Sequence, residues 1–330
     1  MANTELFQGG WNFLGLPQEF SDPARSRAWV LPVPYESTTC YGAGTREGPA
    51  AILAASRAIE RYDRELGCEP ARELGVHTLN PLLIRRTPEE MISSIETAVA
   101  GILSGSPAPE LLAVLGGEHT LSAGVARGLA RHLKVNGKRK KGKGPAAKSQ
   151  EPVCDELVAV QIDAHADLWD EYEGSRFSHA CAARRIVATC PLFQVGVRNV
   201  SGEEDRFIRT DKRVRTVFAT EAMAPDGAFL KDLADFIRGK TVYLTIDLDG
   251  LDPSIMPAVG TPEPGGLSWA RTLEIARTVF RHAARVPVFD VVELAPIPGL
   301  RAPDFLAAKL VYALISLLLT KQNQHLSRST

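Results

Sequence analysis

Residues 158–169 read VAVQIDAHADLW, an apolar stretch suited to a buried strand that runs into a group of polar side chains. Asp163, His165 and Asp167 are spaced two apart, with only Ala164 and Ala166 between them. Because successive side chains of a strand point to opposite faces, two acids and a histidine would crowd one face. Like charges repel at that distance, so the stretch predicts a cation among these groups.

Other apolar runs along the chain resemble this one. Most are apolar throughout rather than alternating, which is typical of strands in a parallel sheet that is covered by helices on both faces. These runs are AWVLPV at 28, LLAVLGG at 111, LFQVGVR at 192, VRTVFAT at 214, TVYLTIDLD at 241 and VFDVVELAP at 288.

Segments with helical character lie between the predicted strands. Alternation of this kind predicts the α/β fold class, as one domain over residues 1–330 with a doubly wound, mostly parallel sheet between two layers of helices. The predicted helices are residues 48–62, 88–103, 121–133, 179–188, 225–237, 269–284 and 304–319.

One segment, residues 135–152, breaks the alternation. It reads VNGKRKKGKGPAAKSQEP and clusters basic residues among glycines, with little apolar surface to anchor it. We interpret it as a disordered Lys/Gly-rich loop insertion within the single domain, because a charge run in a near-neutral chain is usually solvated surface. The alternative is a basic arm for nucleic acid or an acidic partner.

The composition narrows the class of protein. A formal net charge of −1 gives no general attraction to nucleic acid or to an anionic membrane. The five cysteines are scattered without a CxxC pair, which predicts reduced thiols and a cytoplasmic protein. The N-terminus lacks the pattern of a secretory signal, and the apolar run at 310–319 is too short to span a bilayer.

Polar residues also close three other predicted strands. Ligands of doubly wound sheets collect beyond the carboxyl ends of the strands. A single Asp after a strand is usually a turn former, but several together at strand ends predict a functional site. The residues are Glu118 and His119 after the run at 111, Asp247, Asp249 and Asp252 after the run at 241, and Glu293 after the run at 288.

The donor set predicts two metal ions rather than one. Four or more carboxylates exceed the need of a single divalent ion, and two such ions would neutralise four aspartates. Carboxylate-rich ligation with two imidazoles favours Mn²⁺ over zinc, with Ni²⁺, Fe²⁺ or Co²⁺ left open. Paired ions activate water for attack on an electron-poor centre.

Glu293 indicates the charge of the substrate. A further carboxylate beside this site would repel a phosphate ester and attract a cation, and a guanidinium fits because its donor fork matches a carboxylate. A structural salt bridge at the strand end is the alternative.

Five motifs of the chain resemble the ureohydrolase family, which includes arginases, agmatinases and relatives that cleave guanidino or formimino compounds. GGEHT, DAHADL, TIDLDGLDP, GTPEPGGL and DVVELAP occur in the family's order and at roughly its intervals. The resemblance covers most of the chain, from PVPYESTTCYGAGTREGPAAI to the final helix. It implies an arginase-like fold, a ureohydrolase domain, two Mn²⁺ and a homotrimer or homohexamer.

The resemblance also implies roles for single residues. One manganese would be held by His119, Asp163, Asp167 and Asp247, and the other by Asp163, His165, Asp247 and Asp249. Asp163 and Asp247 would then bridge the metals, which counts Asp163 among the catalytic residues.

Four further residues are expected around the metals. His179 matches the family's histidine beside the substrate and would carry a proton to the leaving amine, and Glu293 would hold the guanidinium. Glu118, where the family commonly has Asp, and Asp252 would support the ligands from outside, with Glu118 orienting His119.

The segment after His179 bears on the substrate. Arginases hold the α-carboxylate and α-amino groups there, whereas this chain has four small residues followed by Arg184 and Arg185. An alkylamine tail fits better, so we expect hydrolysis of agmatine to putrescine and urea, a step toward polyamines. Guanidinobutyrate, guanidinopropionate, guanidine or arginine stay open, because either arginine could bind a carboxylate. A non-catalytic protein that binds through the basic segment is the rival from another class.

Overall fold

Eight parallel strands form one sheet at the centre of the molecule, in a computed structural model that describes residues 11–140 and 156–326. Every pairing between these strands is parallel, which confirms the predicted fold class. The order is β2-β1-β3-β8-β7-β4-β5-β6. The strands are β1 (Ala28–Val33), β2 (Val76–Thr78), β3 (Leu111–Gly116), β4 (Leu157–Ile162), β5 (Leu192–Val197), β6 (Val214–Phe218), β7 (Thr241–Asp247) and β8 (Arg285–Val292).

Helices cover both faces of the sheet. In β4, Val160 faces a core that includes residues of α1, α9 and α10, while Ala159 faces a second core with residues of α3, α4 and α5. Burial on both faces explains why the strands read as continuous apolar runs. The helices are α1 (Gly48–Ser56), α2 (Pro70–Leu74), α3 (Pro88–Leu103), α4 (Ser122–Lys140), α5 (Ala182–Val187), α6 (Gly202–Thr210), α7 (Ala219–Ala222), α8 (Phe229–Ile237), α9 (Trp269–His282) and α10 (Ala302–Leu326).

The boundary between α4 and the basic segment differs from the prediction. The helix continues to Lys140, so the first six residues of the predicted loop, 135–140, are helical. Lysine and arginine are good helix formers, and one glycine does not stop a helix that is already nucleated. The rest of the predicted loop, residues 141–152, lies outside the described residues.

The last helix, α10, belongs to the core. Within the described chain its stretch Ala302–Thr320 is long and apolar enough to cross a membrane, and half of that stretch is buried inside the protein. Leu310, Val311 and Leu314 are fully buried, and the helix packs against α1 and α9. Core helices commonly reach this hydropathy, which accounts for the apolar run.

Four neighbouring strands in the middle of the sheet, β3, β8, β7 and β4, end at one edge. The register places Asp247 beside Val292 and Ile246 beside Ile162, so the residues that follow these strands emerge together. The loop after β3 approaches the loop after β1 closely, and a Cβ on Gly117 would lie 2.0 Å from the carbonyl oxygen of Tyr35. Only glycine fits there, which explains the second glycine of GGEHT.

Candidate metal centre

The edge formed by β3, β8, β7 and β4 brings the six predicted metal ligands together. Two groups of side chains lie close enough to hold an ion each, with all ligand atoms of a group within 4.8 Å of one another. The groups share Asp163, whereas Asp247, the other residue predicted to bridge the metals, belongs to the first group only. They are His119, Asp163 and Asp247, and Asp163, His165 and Asp249.

The first group surrounds Nδ1 of His119. This nitrogen lies 2.9 Å from Oδ2 of Asp167, 3.1 Å from Oδ2 of Asp163 and 3.3 Å from Oδ2 of Asp247. It is buried and has no hydrogen bond of good geometry within the described residues. A buried polar atom without a partner is costly, and an ion among the four atoms would supply one. The donors therefore fit a divalent cation.

The second group centres on Asp249 and His165. Nδ1 of His165 lies 2.8 Å from Oδ2 of Asp249 and 3.8 Å from Oδ1 of Asp163. Backbone amides orient both carboxylates, because Ala164 N–H donates to Asp249 Oδ1 at 3.0 Å and His165 N–H donates to Asp163 Oδ1 at 2.6 Å. The donors are thus held in place before any ion binds.

The protonation equilibria reflect crowded carboxylates. Burial, and then the negative charges of Asp167 and Asp249, raise the pKa of Asp163 to about 7. Burial, and then the charge of Asp249, raises the pKa of Asp247 well above its ordinary value. Two cations would relieve this repulsion.

His165 and Asp249 behave as an ion pair. Burial opposes the charge on both, but their hydrogen bond lowers the pKa of Asp249 to about 2 and raises the pKa of His165 to about 11. In the metal-free protein, the positive charge of protonated His165 offsets part of the negative charge of the acids, as a bound cation would.

Two residues of the site have a strained backbone. Asp167 has φ of 53° and Glu293 has φ of 67°, a left-handed conformation that non-glycine residues rarely adopt. Hydrogen bonds hold both: the Asp167 carbonyl accepts from Arg184 N–H at 3.0 Å, and Glu293 N–H donates to the Gly117 carbonyl at 2.8 Å. Strain that the surroundings impose in this way is typical of functional sites.

A buried network behind His119 was not predicted from the sequence. Nε2 of His119 lies 3.1 Å from Oγ1 of Thr245, which donates to Oδ1 of Asp290 at 2.6 Å. Tyr243 and Ser122 also donate to Asp290. The signal in the sequence is the acid inside the apolar run VFDVV of β8.

A second unpredicted support lies behind Asp163. Nε2 of Gln161 donates to Oδ2 of Asp163 at 2.6 Å, and Gln194 donates both to Oε1 of Gln161 at 2.9 Å and to the Ala166 carbonyl at 2.7 Å. Gln161 precedes Asp163 by two positions, so the alternation of the strand already placed the two on one face.

The contacts of Glu118 differ from the prediction. Its carboxylate turns toward the loop after β1 and accepts hydrogen bonds from the backbone N–H groups of Ser37 and Thr38, each at 2.6 Å, and from Oγ1 of Thr38 at 2.9 Å. His119 is oriented by Thr245 instead. The physical reason is that two backbone donors without other partners attract the carboxylate more strongly than an imidazole already surrounded by acids.

Asp252 also differs from the prediction. Its carboxylate accepts the backbone N–H groups of Ser254, Gly265 and Gly266, each at 3.0 Å. It therefore caps the loop at 252–266 rather than supporting a metal ligand, which is the common use of an Asp at a turn.

A cavity of about 320 Å³ opens above the cluster. His179 and Glu293, the two residues predicted beside the substrate, line it together with Tyr41, Trp169 and Tyr172. Oε1 of Glu293 accepts the backbone N–H of His119 at 2.5 Å. In the described chain no lysine or arginine lines this cavity. The volume is within the usual range for small-molecule sites.

Arg184 and Arg185 lie outside the cavity, which corrects the prediction that they could contact the substrate tail. The guanidinium of Arg184 stacks 3.6 Å from the ring centre of Phe207, and Nη2 of Arg185 lies 2.5 Å from Oδ1 of Asp170. Both line a separate cleft. The reason is that α5 begins at Ala182 and turns the residues after it away from the metal cluster.

Comparisons with known proteins agree with this geometry. The Arginase family model matches residues 26–316. The chain is 36% identical to the N(1)-aminopropylagmatine ureohydrolase of Synechocystis sp., over 87% of both chains. It is 35% identical to the enzyme of that name from Thermus thermophilus, covering 88% of this chain and 90% of the relative. It is 30% identical to the agmatinase of Pyrococcus horikoshii, covering 87% and 90%.

Solved structures of similar fold include the agmatine ureohydrolase of Thermoplasma volcanium, with a TM-score of 0.77 and 23% identity over 97% of this chain and 98% of that one. The arginase of Bacillus subtilis has a TM-score of 0.68 and 22% identity over 88% and 98%. The sheet and its helical layers are thus those of a known architecture. The chain belongs to the arginase family and is a hydrolase that acts on amidino compounds.

Proposed function

We propose that this enzyme releases urea from an alkylguanidine whose tail ends in an amine. The simplest such substrate is agmatine, which gives putrescine and urea. The observation that carries the proposal is the lining of the cavity, which in the described residues contains acids and aromatic rings but no lysine or arginine. Such a cavity attracts a cationic tail and offers no strong partner to a carboxylate tail.

Glu293 is the proposed partner of the guanidinium. One carboxylate oxygen is held by the His119 amide, so the group has a fixed direction. Burial, and then the charge of Glu118, raises the pKa of Glu293 well above its ordinary value. A bound guanidinium would offset that cost, because a planar cation with paired donors matches a carboxylate.

The five residues of the two groups, together with Asp167 beside His119, would hold the two metals, with Asp163 shared between the groups. The carboxylate-rich donor set favours Mn²⁺, with Ni²⁺, Fe²⁺ and Co²⁺ as alternatives. Bound divalent cations supply Lewis-acid activation of water for attack on the guanidinium carbon. The protein fixes the position of the donors through backbone amides and the buried residues Gln161 and Thr245.

His179 is the proposed proton carrier to the leaving amine. Its ring lines the cavity, and its position is fixed by Oγ1 of Thr38, which accepts the His179 backbone N–H at 3.0 Å. The ring of Tyr172 meets it edge-on at 5.9 Å between centroids. A histidine held in this way can pass a proton without moving far.

A second candidate substrate is N¹-aminopropylagmatine, which carries a longer tail with a further amine. The two relatives of 35% and 36% identity bear that name. The aromatic rings of Tyr41, Trp169 and Tyr172 line the cavity, and aromatic faces attract ammonium groups. A second amine on the tail would therefore find favourable contacts.

Urea release from manganese-loaded protein tests the proposal, with both amine-tailed compounds offered beside arginine, guanidinobutyrate, guanidinopropionate and guanidine. We expect kcat/KM for the better amine-tailed compound to exceed that of the carboxylate-tailed compounds by about 10²-fold or more, the size of one or two charge-assisted contacts. A preference for guanidinobutyrate would contradict the proposed tail. If the protein releases urea from none of these compounds, a non-catalytic binding function is favoured.

Three further properties stay predictions for this enzyme: a homotrimer or homohexamer, a cytoplasmic location and a role in polyamine biosynthesis. Among the described residues, Cys40, Cys68 and Cys181 are free thiols, as expected in a reducing compartment. Light scattering of the purified protein would measure the assembly.

A further inference from the structure

A second cleft, which we call the arginine cleft, lies beyond the loop that carries Asp167. Its volume is about 530 Å³. Asp170 is the only acid among the described residues that line it. The basic residues that line it are Arg127, Arg176, Arg184, Arg185 and Arg213.

The acids nearby do not balance these arginines. Oδ1 of Asp170 lies 2.5 Å from Nη2 of Arg185 and 3.0 Å from Nη2 of Arg176. Asp211 pairs with Arg213 through both carboxylate oxygens, at 2.6 and 3.0 Å. Among the described residues, five guanidinium groups against these two carboxylates leave an excess of three positive charges around one concave surface. Such an excess is costly unless an anion shares the cleft.

One of these arginines has an unused donor. Arg185 is only 7% exposed, and its Nε–H has no hydrogen-bond acceptor within the residues that the structure describes. Buried donors are nearly always paired, so the position calls for an acceptor that the described chain does not provide. Arg185 is one of the residues that line the cleft, so this unpaired donor belongs to the cleft wall.

A second arginine is fixed in a binding orientation. The guanidinium plane of Arg184 rests 3.6 Å from the ring centre of Phe207, also in the cleft wall. Nε of Arg184 lies 3.9 Å from Oδ1 of Asp170, and the stacked orientation reduces the entropy that the group would lose on binding a ligand through its other donors.

We propose that the arginine cleft is a binding site for a compact oxyanion of at least two negative charges, separate from the metal cavity. Guanidinium groups bind carboxylate and phosphate oxygens through paired hydrogen bonds, and an oxygen of such an anion would satisfy Nε of Arg185. A phosphate group or a dicarboxylate meets this requirement equally. An organic guanidine does not, because it carries the same charge as the cleft.

Calorimetric titration of the holoenzyme, freed of unbound metal, with inorganic phosphate and with succinate tests the site. The double variant Arg176→Gln/Arg184→Gln is expected to bind roughly tenfold more weakly or worse, as the loss of charge-assisted hydrogen bonds requires. The matched control is Arg209→Gln/Arg238→Gln, which removes the same charge from exposed arginines that pair with acids elsewhere. That control is expected to bind as the unaltered protein does.

Anions also bind metals, so a second comparison separates the two sites. Binding to the arginine cleft should persist in Asp163→Asn, whereas binding at the metals should be lost there and kept in the arginine variant. Saturation by phosphate alone identifies a phosphate source for the natural ligand, and saturation by succinate alone identifies a carboxylate source. Saturable binding by neither probe, or equal binding by the double variant and the unaltered protein, overturns the proposal.

The double variant must be folded for the result to count. Its melting temperature and bound metal are measured alongside. If it does not fold, Arg176→Gln alone serves, because that side chain is 58% exposed and contributes little to packing. It must still weaken phosphate or succinate binding relative to Arg238→Gln.

Discussion

Thr38 Oγ1 lies 3.2 Å from Nδ1 of His179 and donates its own proton to Glu118 at 2.9 Å. A hydroxyl has one proton, and a carboxylate is a stronger acceptor than an imidazole nitrogen. Oγ1 of Thr38 therefore meets the ring as an acceptor, which favours the tautomer with a proton on Nδ1. In that tautomer Nε2, which faces Cys40 at 3.6 Å, is the nitrogen available for the proposed proton transfer.

Replacing Thr38 by valine removes the acceptor for Nδ1–H without changing the volume greatly. We expect kcat to fall about ten- to a hundredfold, less than the ~10²–10⁴-fold of complete acid–base catalysis, because the imidazole is kept but loses the hydroxyl that contacts both its backbone N–H and its Nδ1. KM and bound metal should change little. Thr38→Ser keeps the hydroxyl and should recover most of the activity, and a serine variant as slow as the valine variant would contradict the assigned contact.

Glu118→Gln tests the same network from its other end. The amide keeps the shape but can accept hydrogen bonds through only one atom. Either the bonds from the backbone N–H groups of Ser37 and Thr38 or the bond from Thr38 Oγ1 are therefore lost. We expect the protein to be destabilised by about 1–3 kcal/mol and kcat to fall, with metal content unchanged. Loss of metal from this variant would instead restore the role for Glu118 as an orienter of His119. Thermal denaturation and metal analysis distinguish the two.

The sequence predicted the sheet, its helical layers and the place of the site, because these follow from short-range patterns. All seven apolar runs form strands. The acids that follow the runs at 111, 158, 241 and 288 lie at one edge of the sheet, because β3, β4, β7 and β8 are neighbours. The three-residue strand β2 was missed because it is too short for a periodic signal. Helix α6 was missed although Ser201 and Glu204 form a capping box at its start.

Side-chain contacts between distant segments could not be read from the sequence. Glu118 follows β3 and Thr38 follows β1, and nothing local to either one indicates that the carboxylate turns toward the other loop. Likewise, Arg184 and Arg185 are only five and six positions after His179, yet the turn into α5 carries them into another cleft. The direction of a side chain depends on the path of the backbone in the tertiary structure, which the spacing of residues in the sequence does not specify.

Asp163→Asn should remove metal and activity together, since Asp163 belongs to both groups of potential ligands. A neutral amide is a poor ligand for a divalent cation, and near-complete loss of urea release is expected. The matched control is Asp252→Asn, the same chemical change in an acid that caps a loop. It should retain its metal by mass spectrometry. Full activity of Asp163→Asn with two ions bound would refute the assignment of Asp163 as the ligand shared by both groups.

The stability of the metal-free protein should fall as the pH rises. The pKa of Asp163 is raised from 3.8 to about 7 in the folded state, so its contribution to stability is lost as the pH rises through that range. The pKa of His165 is raised from 6.5 to about 11, so its contribution is complete below 6.5 and declines above it. The lowered pKa of Asp249, about 2, acts only at more acidic pH.

Scanning calorimetry of chelated and metal-loaded protein between about pH 5 and pH 9 checks this sign. The melting temperature of the chelated form should decrease across the range, while the metal-loaded form, whose carboxylates are neutralised by cations, should change much less. If the chelated protein becomes more stable toward pH 9, repulsion between the acids of the cluster does not destabilise the folded state.

Thr245→Val should weaken metal binding although Thr245 is not one of the potential metal ligands. Its hydroxyl lies 3.1 Å from Nε2 of His119 and donates to the buried carboxylate of Asp290, so it fixes the ring that presents Nδ1 to the cluster. Loss of such a partner typically lowers metal affinity about 10–100-fold. Competition with a chelator of known affinity measures the change, and Thr245→Ser should restore binding because it keeps the hydroxyl. If valine and threonine bind metal equally, the neighbouring acids alone orient His119, and the network with Asp290 serves only the stability of β7 and β8.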